Sequence, residues 1–158
     1  MVAAILDEYR REYQACWRDH SRPYDGIPEL LAELARRGVK TAVLSNKAQM
    51  FTGLHGRGAS GPAHRFDIVR GALPGVPLKP DPAPALAIAA ELGVPAAACA
   101  FVGDTNVDMT TARAAGMLAV GALWGFRTAD ELRRQRRRPS SSPRRSTCSI
   151  ICDIGNDR

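Results

Sequence analysis

Apolar residues recur at helical spacing in several stretches of this chain. In "IPELLAELARRG", Pro28 stands near the start and Gly38 follows the end, which is the usual asymmetry of helix caps. Further along, Asp81 and Pro82 open a helical stretch that Gly93 closes. The predicted helices cover residues 5–17, 27–37, 82–92, 107–115 and 128–135.

Short apolar runs bounded by polar or glycine-containing turns separate these helices. They predict strands at "VKTAVLS", "FDIVR", "ACAFVGD" and residues 117–123. Strands that alternate with helices favour a parallel sheet covered on both faces. The pattern therefore predicts an α/β fold, a three-layer Rossmann-like parallel sheet.

Length and charge divide the chain into a folded part and a basic tail. A chain of 158 residues with 45% hydrophobic residues is long enough for one domain with a real core. Residues 133–158 hold 8 of the 22 basic residues and only 2 of the 16 acidic ones, so the whole net charge of +6 lies there. We expect this arginine-, serine- and proline-rich tail to be disordered. It could bind nucleic acid or acidic surfaces electrostatically, but it lacks the interleaved aromatic residues that favour specific recognition.

Targeting signals and disulfide patterns are absent from this sequence. The opening "MVAAIL" is too short for the apolar part of a signal peptide, and no run approaches the roughly 20 apolar residues of a membrane span. The four cysteines show no C-x-x-C spacing. We therefore expect a cytoplasmic protein that does not enter the membrane.

Polar side chains stand where three segments of the predicted sheet end. The first strand runs into Ser45, Asn46 and Lys47, the loop after the second reaches Lys79, and the third ends at Asp104. In parallel sheets, ligands bind outside the carboxyl ends of the strands. A hydroxyl, an amide, a cation and carboxylates gathered there suit a phosphate beside a hard metal ion.

Three of these stretches resemble a known family. "LSNK", "GVPLKPDP" and "VGDTNVDMTTARAAGM", in this order, are similar to the second, third and fourth motifs of the haloacid dehalogenase-like hydrolases. "RPYDGIPELLAEL" and "LWGFRTADEL" resemble the phosphoglycolate phosphatase branch. The likeness covers residues 1 to about 52 and 65–132. It implies a phosphatase that acts on a small phosphorylated metabolite.

The resemblance also implies roles for five residues. Ser45 and Asn46 would bind the transferring phosphoryl group, Lys79 would neutralise charge in catalysis, and Asp104 would bind Mg²⁺. Asp108 would support the metal, directly or through water, or hold the lysine. Thr105 and Asp108 also match a capping box, so Asp108 could instead satisfy backbone amides at a helix start.

One motif of the family has no counterpart here. Its members attack phosphate with an aspartate of a D-x-D-G-T motif that ends their first strand, and this sequence contains no D-x-D. The opening "MVAAILDEYRREYQACW" instead resembles the last helix of the family's cap domain. We therefore divide the chain into a cap remnant (1–22), a core without the first strand and most of the cap (23–132), and the tail (133–158).

Two segments depart from the family pattern. Residues 53–64 contain four glycines and no helical stripe where the family has a helix, and residues 133–158 replace the expected final helix and strand. Both are consistent with a gene read in a shifted frame. The sequence thus favours a Mg²⁺-dependent phosphatase that is inactive as this chain. The alternative is a non-catalytic protein or gene fragment that binds phosphate and Mg²⁺. Oligomeric state and stability of the core are left open.

Overall fold

The computed structural model of this chain describes residues 2–17, 19, 22–58, 66–125, 128, 130–131 and 149–152. The helices are α1 (Val2–Cys16), α2 (Ile27–Arg36), α3 (Gln49–Gly58), α4 (Ala83–Glu91) and α5 (Asn106–Ala114), with a short 3₁₀ helix at Ala96–Ala98. The strands are β1 (Thr41–Ala48), β2 (Ile68–Ala72), β3 (Cys99–Gly103), β4 (Leu118–Gly121) and β5 (Ser149–Cys152). Within the described ranges, no helix is long and apolar enough to span a bilayer.

All five strands form one parallel sheet in the order β2-β1-β5-β3-β4. The α/β class and the parallel sheet predicted from the alternating pattern are confirmed. The four strands predicted from apolar runs are present as β1 to β4, each within a few residues of its expected bounds. Most of the predicted helix at 128–135 lies outside the described residues.

The centre of the sheet is occupied by a strand that the sequence did not predict. β5 pairs in parallel with β1 on one side and with β3 on the other. The expectation that the whole tail is disordered was therefore wrong at residues 149–152; the rest of the tail lies outside the described residues. The sequence of β5 is Ser-Ile-Ile-Cys, and its two β-branched residues suit a strand once partners exist on both sides.

The core lies between the sheet and helices α4 and α5. Alternate residues of two strands face these helices, Ala42 and Leu44 from β1 and Cys99 and Phe101 from β3. Ile88 of α4 is fully buried among them. Small residues complete the cluster on the helices: Ala85, Ala89, Ala112 and Ala115. Such side chains let helices pack close to the sheet, which fixes where α5 begins relative to β3.

Helix α3 departs from the sequence expectation. Residues 53–64 were expected to lack a helix because of their glycines, yet residues 49–58 are helical and 59–65 lie outside the described residues. The first turn is held by one local hydrogen bond and one tertiary contact. The Thr52 hydroxyl donates to the Lys47 carbonyl at 3.0 Å, and Phe51 packs against the Tyr13 ring of α1 with centroids 4.4 Å apart. These contacts outweigh the low helix propensity of glycine.

At the amino edge of the sheet, Asp67 joins β1 to the segment before β2. Its carboxylate accepts hydrogen bonds from the Thr41 N–H at 2.8 Å and from the Lys40 ammonium at 3.1 Å. Partial burial alone would raise the pKa of Asp67, but these two donors stabilise the charged form and lower the pKa below its usual value. This contact lies opposite the edge that carries the candidate site.

Candidate active site

The carboxyl edge of the sheet brings Ser45 and Asp104 to the same level. In the sheet register, Val43 of β1 lies opposite Cys152 of β5, and Cys152 lies opposite Val102 of β3. Ser45 lies two residues after Val43, and Asp104 lies two residues after Val102, so both lie equally far beyond this row. Since β5 separates β1 from β3, two strand spacings of about 5 Å place their backbones about 10 Å apart. Both are largely buried, with 6% and 8% of their surface exposed.

Lys79 enters this edge as a buried cation. Its Nζ donates to Asp108 Oδ1 at 2.8 Å, and the two side chains are 3% and 0% exposed. The ammonium also lies 5.9 Å from the centroid of the Phe101 ring. Burying an ion pair costs a large desolvation energy, which is offset only when the geometry is good and further hydrogen bonds are made, as Asp108 makes with Thr105. The pair fixes the lysine Nζ beside the start of α5.

The loop backbone at Lys79 is held by Asn46. The Asn46 side chain accepts a hydrogen bond from the Lys79 N–H and donates one to the Lys79 carbonyl, both at 2.9 Å. The Asn46 amide thus holds the backbone of Lys79 on both sides of its Cα. The family resemblance implied that Asn46 helps to bind the phosphoryl group through its side chain or backbone. In this structure its side chain is bonded to the Lys79 backbone.

Asp108 holds the lysine and caps the helix at the same time. Its Oδ2 accepts hydrogen bonds from the Thr105 N–H at 3.0 Å and from the Thr105 hydroxyl at 2.6 Å. The Asp108 N–H in turn donates to the Thr105 hydroxyl oxygen at 3.3 Å, which completes a capping box at the start of α5. Both roles of Asp108, lysine holder and cap, are therefore present together. Both of its carboxylate oxygens accept hydrogen bonds, one from Lys79 and the other from Thr105.

Asp104 lies in a close-fitting recess. A Cβ added at Gly125 would come within 2.3 Å of Asp104 Oδ2, so only glycine lets that backbone approach the carboxylate. In the described part of the chain, no three His, Cys, Asp or Glu side chains form a metal cluster. Mg²⁺ nevertheless uses one or two protein carboxylates together with waters and phosphate oxygens. A single carboxylate held at this edge fits that coordination.

Ser45 and Lys47 are coupled through the backbone. The Lys47 N–H donates to Ser45 Oγ at 3.2 Å, so the serine hydroxyl proton is left to point elsewhere. The Lys47 Nζ donates to the Tyr13 hydroxyl of α1 at 2.7 Å. Sequence reasoning gave Tyr13 no role. Tyr13 lies on a predicted amphipathic helix, and nothing in the sequence indicated that it would contact Lys47.

Comparison with known proteins identifies a family and several related phosphatases. The family model for a haloacid dehalogenase-like hydrolase matches residues 2–116. A phosphoglycolate phosphatase of Xanthomonas campestris pv. campestris is 33% identical over 128 residues, which cover 81% of this chain and 58% of the relative. An N-acetylmuramic acid 6-phosphate phosphatase of Pseudomonas aeruginosa is 32% identical over 125 residues, 79% of this chain and 55% of that protein.

A solved structure gives the same result for the fold. A candidate phosphoglycolate phosphatase of Lactobacillus delbrueckii subsp. bulgaricus superposes with a TM-score of 0.74 at 27% identity, covering 97% of this chain and 59% of the other. The chain thus spans somewhat more than half the length of the relatives it matches. The family match over most of the chain, with the motifs at the carboxyl edge of one parallel sheet, shows that it belongs to the haloacid dehalogenase-like hydrolases.

Proposed function

We propose that this chain is part of a Mg²⁺-dependent phosphomonoester hydrolase of the phosphoglycolate phosphatase type. The observation that carries the proposal is the buried Lys79 ammonium. Asn46 holds the Lys79 backbone and Asp108 holds the Lys79 Nζ, at the sheet edge that also carries Ser45 and Asp104. A fixed cation in a partly water-excluded site stabilises the charge that develops on a transferring phosphoryl group.

The proposed roles divide between binding and charge neutralisation. Ser45 donates its hydroxyl proton to a phosphoryl oxygen, because its Oγ already accepts from the Lys47 N–H. Lys79 balances the negative charge of the phosphoryl oxygens from the loop side. Asn46 and Asp108 act through Lys79, since their side chains are bonded to it.

Asp104 is the proposed Mg²⁺ ligand. When bound, the metal would supply further positive charge for the phosphoryl oxygens. The second aspartate that the resemblance assigned to the metal, Asp108, accepts hydrogen bonds from Lys79 and Thr105. Its role in the proposed site is therefore to position Lys79. Since no three metal-ligating side chains gather in the part of the chain that the structure describes, we expect weak Mg²⁺ affinity.

The proposed substrate class is a small phosphate ester of an organic acid. The two relatives above are named for phosphoglycolate and for N-acetylmuramic acid 6-phosphate, which are both phosphorylated acids. They match this chain with nearly equal identity, so the names alone do not choose between the substrates. The chain covers too little of either relative to carry over a whole protein's activity.

A second candidate is a non-catalytic protein that binds phosphate and Mg²⁺. The observation that favours it is the lack of a D-x-D-G-T motif, because transfer through an aspartyl-phosphate needs an attacking carboxylate. Charge stabilisation from Ser45, Lys79 and Asp104 cannot replace that group. We therefore expect this chain alone to bind phosphate without hydrolysing its esters.

Turnover of an aryl phosphate in Mg²⁺ separates the candidates. The purified chain is compared with Asp104→Asn, and we expect equal background rates. A longer gene product that adds an upstream D-x-D strand and the rest of the cap is expected to turn over phosphoglycolate, and to lose this activity in Asp104→Asn. Turnover by the short chain that disappears in Asp104→Asn would show that the nucleophile is not missing. A folded but inactive long product would contradict the phosphatase assignment.

A further inference from the structure

The turn that follows β4 is fixed against the candidate site at both of its ends. The Ala122 N–H donates to the Gly103 carbonyl at 2.8 Å, which joins the turn to the end of β3. At the other end, a Cβ added at Gly125 would come within 2.3 Å of Asp104 Oδ2, so the Gly125 backbone lies against that carboxylate. Because β4 is parallel to β3, the turn lies at the carboxyl edge that carries the site. The residues between these two contacts are therefore held beside the proposed metal ligand.

Trp124 lies between the two contacts and presents its side chain to solvent. Trp124 is 53% exposed, and Leu123 beside it is 59% exposed. No hydrogen bond or ring contact joins the Trp124 side chain to another residue that the structure describes. Consecutive Cα atoms are about 3.8 Å apart, so the Trp124 Cα lies within about 8 Å of Asp104 Oδ2. The indole extends several ångströms beyond its Cα, so it can reach an organic group attached to a phosphate at this site.

We propose that Trp124 packs against the organic group of the bound phosphate ester, and that this contact favours an ester with a ring over one with a short chain. The proposal rests on the proposed function and adds a residue that selects among substrates. The proposed roles of Ser45, Lys79 and Asp104 concern the phosphoryl group and the metal, which every phosphate ester would share. An indole instead offers a flat apolar face, and its contribution to binding grows with the apolar area that a ligand covers.

The size of the effect follows from the apolar area that the contact buries. A ring lying on the indole removes about 60 Å² more apolar surface from water than an ethyl group does. At about 25 cal/mol per Å², this difference changes affinity about tenfold. The alternative is that the Trp124 ring meets no ligand, since single exposed apolar side chains are common on protein surfaces.

Two ligands separate these possibilities: phenyl phosphate carries a ring, and ethyl phosphate carries a two-carbon chain on the same phosphate group. Calorimetric titration of the purified chain with each ligand gives their affinity ratio. The variants are Trp124→Ala and Leu118→Ala, since Leu118 is an apolar residue of similar exposure, 45%, at the other end of β4. Thermal unfolding of each variant monitors structure. Trp17 and Trp124 are the two tryptophans of the chain, so Trp17→Phe leaves Trp124 as the single indole whose emission is recorded.

We expect the wild-type chain to bind phenyl phosphate about tenfold more tightly than ethyl phosphate. The ratio should fall close to one in Trp124→Ala and persist in Leu118→Ala. In Trp17→Phe, phenyl phosphate should change the indole emission more than ethyl phosphate does at equal occupancy. A ratio that is unchanged in Trp124→Ala or falls equally in Leu118→Ala, or equal emission changes with both ligands, overturns the inference and leaves the proposed function standing. Phosphate binding that is unchanged in Ser45→Ala would instead overturn the proposed function and this inference with it.

Discussion

The buried ion pair between Lys79 and Asp108 gives a measurable prediction. The perturbations are Lys79→Met, Asp108→Asn and the double variant, which remove one charge, the other, or both. At 2.8 Å and an effective dielectric constant of about 20, the two charges attract by roughly 6 kcal/mol. Desolvation cancels part of this attraction, so breaking such a pair costs about 3 to 5 kcal/mol.

The double-mutant cycle isolates the pairwise energy. Each single variant leaves one buried charge without its partner, whereas the double variant leaves neither. We therefore expect the double variant to lose about 3 kcal/mol less stability than the sum of the two single losses. The amide introduced by Asp108→Asn keeps an oxygen that can accept from Thr105, so the helix cap contributes little to this difference.

Urea unfolding followed by circular dichroism measures the four free energies. Arg70 and Glu91 form an ion pair with greater exposure, and the matched cycle with Arg70→Met and Glu91→Gln should give a coupling below about 1 kcal/mol. If the Lys79 and Asp108 losses added to within about 0.5 kcal/mol, the pair would not be coupled. That result would refute the reasoning that this pair fixes Lys79 at the site.

Three further predictions concern residues that stabilise the sheet and the start of α5. The pKa of Asp67 is lowered in the folded state, so its contribution to stability is complete above the unfolded pKa of about 4. This contribution is lost as the pH falls through the folded pKa. Urea unfolding between about pH 6 and 3 should therefore show a weaker pH dependence of stability in Asp67→Asn. Ile151→Pro removes a backbone donor from the central strand and should cost about 3 kcal/mol or more, measured by chemical unfolding. Gly103→Ala would place a Cβ 2.4 Å from Asp108 Cγ, and differential scanning calorimetry should show a loss of about 1 to 3 kcal/mol.

The sequence predicted the regular part of the fold because its signals are local. Apolar runs of strand length lie between helices with recognisable caps, so β1 to β4 and most helices could be predicted directly. β5 could not be predicted, because four residues in an arginine-rich tail become a strand only when β1 and β3 offer partners on both sides. Helix α3 could not be predicted because its glycines have low helix propensity. Its first turn is held by contacts with Lys47 and Tyr13, which appear only in the folded chain.

The candidate site was predictable to a similar degree. Ser45, Lys79 and Asp104 were singled out because strand ends of a parallel sheet meet at one edge, and the structure brings them to that edge. The bonds between Asn46 and Lys79 join residues 33 positions apart, so they exist only in the folded chain. The contact of Lys47 with Tyr13 spans 34 positions and was hidden for the same reason.

The central claim is that Asp104 and its neighbours form a phosphate site that also holds Mg²⁺. Calorimetric titration of Mg²⁺ into the purified chain, in the presence of saturating inorganic phosphate, tests it most directly. We predict weak binding that disappears in Asp104→Asn and persists in Asp81→Asn, an aspartate whose carboxylate accepts from the Ala83 N–H beyond the site. Equal Mg²⁺ binding in the wild-type chain and in Asp104→Asn would contradict the account, because the metal would then lie elsewhere.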